Sequence, residues 1–125
     1  MLPLTILIVL SIIFVVPFLV YGLATVVAGV KPPEGISPAK FQLGVLLSKL
    51  GTAIAFVLIF YFARSTFSTQ WPLYAFLWWL SFLTGEIGET ICGKYTWKEA
   101  IAGVISETIY LPASAYLTFR LIGGT

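Results

Sequence analysis

Lys49, Glu86, Glu89 and Glu107 each interrupt a long apolar run of the sequence. If those runs cross a bilayer, each charge costs about 2.5–3.5 kcal/mol near the centre and is retained only where it pairs, binds an ion or handles a proton. Lys49 lies eight positions after Phe41, Glu86 seven before Gly93, and Glu107 ten after Trp97. At ~1.5 Å per helical residue all three sit roughly 10 to 15 Å below the same membrane face, with Glu89 about one turn shallower. The layer then holds three carboxylates against one ammonium. In a low dielectric that surplus is costly, so one or more glutamates should hold a proton, or the site should hold a cation.

Spacing points the same way. Glu86, Glu89, Thr90 and Gly93 recur at steps of three and four, as do Gly103, Glu107, Tyr110, Ser114 and Thr118, and a third stripe holds Gln42, Lys49 and Thr52. On helices each set occupies one face. Three polar stripes that avoid lipid face one another, and Gly51, Gly85, Gly88 and Gly103 are expected to let the helices approach closely. The sequence therefore nominates Glu86, Glu107, Glu89 and Lys49 as ion- or proton-binding residues, with Thr52, Tyr110 and Ser114 lining the polar interior. The plainer alternative is structural: one glutamate ties to Lys49, Glu89 reaches the interface, and the hydroxyls are packing glue. A tie needs one carboxylate, and the layer has three.

The elements that position these residues follow from composition. Of the 125 residues 59% are apolar and 10% charged, against the roughly 25% charged of a soluble domain. Apolar stretches over 4–30, 41–63, 71–92 and 97–122 each reach the ~20 residues that span the hydrocarbon core. Their ends are punctuated. Residues 31–35 are a breaker. Ser37-Pro38 supplies an N-cap and a first-turn proline, Trp71-Pro72 a second such start, Gly93 a stop, and Thr96 with Glu99 the spacing of a capping box. The sequence thus predicts an all-α integral membrane protein, an antiparallel four-transmembrane-helix bundle forming one domain over 1–125, with helices at about 4–30, 38–63, 71–92 and 97–122. The connection over 64–70 reads as polar and irregular, and Pro17 and Pro112 as kinks inside the first and last helices. The first stretch is read as a spanning helix and not a secretory leader, since its apolar run is about twice a leader's and no basic residue precedes it.

Several classes are excluded. A net charge of +2 is too small and dispersed for nucleic acid. One cysteine, Cys92, forms no intrachain disulfide, and the lack of histidine removes the usual ligand of haem, copper and zinc, so neither a metal centre nor another cofactor is expected. The serines of 65–68 have no base beside them and do not read as nucleophiles. Trp71, Tyr95 and Trp97 read as interfacial anchors. Lys31, Lys40, Lys94 and Lys98 fall on one side, and Arg64, Arg120 and the amino terminus on the other, which places both termini outside the cell membrane. The leading expectation is a small channel or transporter, linked to protons or cations and working as a homo-oligomer in the bilayer. A non-catalytic subunit of a larger membrane complex is the alternative. A lipid-modifying enzyme ranks last, because no nucleophile, metal set or phosphate-binding loop accompanies the carboxylates.

Overall fold

The computed structural model of the chain describes residues 1–30, 35 and 37–124. Among these it contains α1 Leu2–Ala28, α2 Pro38–Phe62, a single turn α3 Arg64–Phe67, α4 Trp71–Ile91 and α5 Trp97–Thr118, which runs on as a π-helical turn over Phe119–Gly123. There is no strand among the described residues.

Local chemistry accounts for most of the boundaries. The Ser37 hydroxyl oxygen accepts the Lys40 N–H at 3.2 Å, and Thr96 does the same for Glu99 at 3.2 Å, each satisfying a donor that the first helical turn leaves free. Gly29 (φ 73°) and Gly93 (φ 85°) take the left-handed conformation that ends α1 and α4. α1 therefore stops two residues short of the expected position 30. Of the predicted breaker at 31–35 only Gly35 is described; Lys31 and the three residues after it lie outside the described residues. The connection over 64–70 differs from the expected irregular segment. It contains α3, whose end is held by the Ser68 hydroxyl donating to the Arg64 carbonyl and, at 2.5 Å, to the Gly123 carbonyl of the π-helical turn.

Three stretches, Leu2–Ala28, Pro38–Phe62 and Trp97–Gly123, are long and apolar enough to cross a membrane. α4 is 21 residues long, carries two glutamates and two glycines in its second half, and is not one of these three. α1 buries Thr5, Val9, Ile13 and Pro17, a single ridge at four-residue steps. On its opposite side Leu7, Leu19, Leu23 and Val26 are exposed, as lipid-facing residues are, while Leu2, Ile6, Leu10, Ile12 and Val16 flank the ridge and pack on the core. α5 is the central element. It packs against both α1 and α4, and ten of its residues are buried, with Gly103, Glu107, Tyr110, Ser114 and Thr118 on the buried side.

α1 also packs along α2, while α2 and α4 meet through aromatic rings. The Tyr74 hydroxyl donates to the Phe56 carbonyl, and its ring lies 4.9 Å from Phe56 and 5.1 Å from Phe60, centroid to centroid. Phe56 also touches Trp78 at 5.5 Å. Tilted ring contacts of this kind add about 0.5–1.5 kcal/mol each to plain packing. They tie the second half of α2 to the first half of α4. In the first half of α2 no residue is buried, and there an open groove of about 480 Å³ runs past Lys40, Phe41, Gly44, Val45, Ser48 and Lys49.

Candidate functional site

α5 and α4 bring two carboxyl groups together. Glu107, on the buried face of α5, is 5% exposed, and its carboxyl group lies in hydrogen-bonding reach of that of Glu86 on α4. One oxygen of each, Oε2, is buried and has no hydrogen-bond partner. The approach is made possible by Gly103, one turn before Glu107 on the same face of α5. A Cβ at that position would fall 2.7 Å from Glu86 Oε1 and 3.0 Å from its Cδ, so the Glu86 carboxyl group occupies the space that any other residue would fill. Gly51, Gly85 and Gly88 were expected to serve close approach as well. They do not: each is exposed, with no atom within 4 Å of where a Cβ would stand.

Tyr21 of α1 completes the group. Its hydroxyl oxygen lies 2.9 Å from the same Gly103 Cβ position and donates to the Glu99 carbonyl at 3.2 Å, which leaves an acceptor lone pair free. Lys98 secures this end of α1, its ammonium donating to the Ala28 carbonyl at 3.1 Å. Tyr21 was not among the residues the sequence nominated. It sits in an uncharged helix that also carries Thr5, Ser11 and Thr25, so its hydroxyl is one of several and no charge marks its face. Only the packing of α1 on the start of α5 brings its hydroxyl to the carboxyl pair.

Lys49 of α2 is half-buried beside the pair and, among the described residues, makes no ion pair with it. Its ammonium lies over the Tyr110 ring, 5.2 Å from the centroid, and its charge acts on Glu107 and Glu86. The groove along the first half of α2 ends at Lys49. Tyr110 is 1% exposed and Ser114 fully buried, the latter with a hydroxyl that finds no partner. Thr52, half-buried on α2, donates to the Ser48 carbonyl of its own helix at 3.2 Å.

Glu89 is separated from the pair, although it shares a helix face with Glu86. It points to the turn after α4 and interacts with Tyr95. Burial first, then the Glu89 charge and hydrogen bond, push the Tyr95 hydroxyl above its ordinary value. The arrangement thus splits in two: a buried pair, Glu86 and Glu107, with Lys49 and Tyr21 around it, and an outer Glu89–Tyr95 contact. No cluster of three or more acidic, cysteine or histidine residues fit for a metal ion occurs among the described residues. What the pair offers chemically is one solvent-shielded carboxyl oxygen from each of two helices, on a buried Glu107 and a half-buried Glu86, with one cation near enough to tune them and not bound to them. Comparison with protein-family models, with curated proteins and with solved structures yields no match, so the functional reading rests on this geometry.

Proposed function

We propose that the chain is a small channel or transporter linked to protons or cations, with Glu86 and Glu107 as its exchangeable site and Lys49 as the neighbouring cation that tunes it. In this reading α4 crosses the membrane with the other three long helices, as an antiparallel four-helix bundle with both termini outside, and the Lys94 and Lys98 turn faces the cytoplasm. The observation that carries the proposal is the buried contact of two carboxyl groups from neighbouring helices with an unpartnered oxygen on each. Two carboxylates at that range repel one another in a low dielectric, so a proton or a cation between them is the arrangement they can hold. A structural tie would have closed on Lys49, whose ammonium rests on Tyr110 instead.

The experiment is flux into proteoliposomes, read with an entrapped pH dye under an imposed proton or salt gradient. Glu86→Gln and Glu107→Gln should each abolish flux while the purified protein still melts cooperatively, because glutamine keeps the shape and loses the exchangeable charge. Flux that survives both substitutions refutes the proposal. Wild-type chain that carries nothing on its own, and becomes stable only with a partner, favours the reading as a subunit of a larger assembly.

A further inference from the structure

We propose that the Glu86–Glu107 pair holds either one proton or one sodium-sized monovalent cation, never both, and so exchanges them one for one. The inference deepens the function proposed above and rests on it. The groups that face the pair are Tyr21 from α1, Lys49 from α2 and Tyr110 from α5, with Glu99, Glu89 and Tyr95 farther out toward the turn. The tyrosines are neutral below pH ~10, so the inner site carries two carboxylates and one ammonium, a net charge of −1. One unit of positive charge neutralises it. A proton shared between the carboxyl groups does so, and so does one monovalent cation. Both together leave an uncompensated positive charge, as a divalent ion does, and buried net charge of either sign is costly.

The ligands select the cation. They are oxygens only: the two carboxyl groups and the Tyr21 hydroxyl, whose proton is engaged by the Glu99 carbonyl so that its lone pair can face the site. Hard oxygen donors suit alkali and alkaline-earth ions, and charge removes the latter. The site is crowded on its α5 side, where a single carbon added to Gly103 falls inside contact distance of Glu86 and Tyr21. Glu107, 95% withdrawn from solvent, supplies the second, independent sign: its Oε2 is a buried carboxyl oxygen with no partner in the protein. The exchange balances as written. A carboxylic acid hydrogen-bonded to a carboxylate gives up its proton to water, and Na⁺ takes its place between two carboxylates. The groove along α2 has Lys40 and Lys49, the cation beside the pair, in its lining.

The test uses the purified full-length chain in detergent, in weak buffer with a pH indicator, titrated with NaCl against choline chloride. Na⁺ should release a saturable amount of acid approaching one proton per chain, and choline none. Glu86→Gln removes one negative charge and leaves the site neutral with Lys49, so release should vanish. The double variant Glu86→Gln with Lys49→Met returns the net charge to −1, and sodium-linked release should reappear, at higher sodium concentration. The wild-type titration needs no variant to fold. If Na⁺ and choline act alike while glutamate-dependent proton flux persists in proteoliposomes, the exchange is refuted and the site remains a proton pathway. If that flux is absent as well, the function proposed above fails with it.

Discussion

Gly103→Ala tests the site without touching a charge. The new methyl group would sit 2.7 Å from Glu86 Oε1 and 2.9 Å from the Tyr21 hydroxyl, so the Glu86 carboxyl group must retreat by roughly 0.7 Å to regain ordinary contact. Binding constellations tolerate about 0.5 Å of misplacement. The pair should therefore loosen, and flux should fall about tenfold or more. Stability is a balance of two terms. Alanine gains about 1 kcal/mol over glycine in a helix interior, while weakening a hydrogen bond to a charged group costs about 1.5–3 kcal/mol. The net expectation is a loss of about 0.5–2 kcal/mol. Gly85→Ala and Gly88→Ala on α4 are the controls: nothing stands within 4 Å of either position, so each should gain up to about 1 kcal/mol and leave flux unchanged. Unfolding in detergent and proteoliposome flux, measured on the same three variants, separate the terms. If Gly103→Ala matches the two controls in both assays, the close packing of Glu86 on α5 is not what builds the site.

Three further outcomes are expected. Tyr74→Phe removes the hydroxyl that serves the buried Phe56 carbonyl and should cost about 1–3 kcal/mol in chemical unfolding, with flux per folded chain unchanged. Ser114→Ala deletes a buried hydroxyl that has no partner. Stability should stay level or rise by about 1 kcal/mol, and flux that falls at the same time would mark Ser114 as part of the lining. Tyr95, pushed up by burial and by Glu89, keeps its proton longer in the folded chain than in the unfolded one. Its contribution is complete below pH ~10 and is lost as pH rises through the higher folded-state value, so wild type should lose stability relative to Tyr95→Phe only above pH ~10, in paired melts from pH 8 to 11. Parallel curves over that range would remove the Glu89 contact from the account.

What the sequence made legible was local. Ser37, Thr96 and Gly93 act on their own neighbours, within four residues, and each sets a boundary where its chemistry says it should. The turn at Arg64–Phe67 escaped because its support is tertiary: the Ser68 hydroxyl that closes it also reaches Gly123, 55 residues away. Glycines show the same divide. Residue type said that Gly51, Gly85, Gly88 and Gly103 could each admit a neighbour, but only the partner's position decides which one does, and Gly103 alone of the four has one. Tyr21 was invisible for a related reason. α1 carries hydroxyls at Thr5, Ser11, Tyr21 and Thr25 and no charge, so nothing in the sequence singles out one of them, and the meaning of Tyr21 comes from the end of α1 being pinned to the start of α5 through Glu99 and Lys98.

The charge count shows how far the two levels differ in consequence. Read along the chain, three glutamates oppose one lysine at similar depth, a surplus of two. In three dimensions Glu86 and Glu89, three residues apart on one helix, serve different surroundings: Glu86 meets Glu107 in the interior, while Glu89 meets Tyr95 at the turn. The interior surplus falls to one. That change of a single charge separates a site that one divalent ion or two single positive charges would neutralise from the site proposed above, which one proton or one monovalent cation neutralises, and it follows from which way one residue at the end of α4 points.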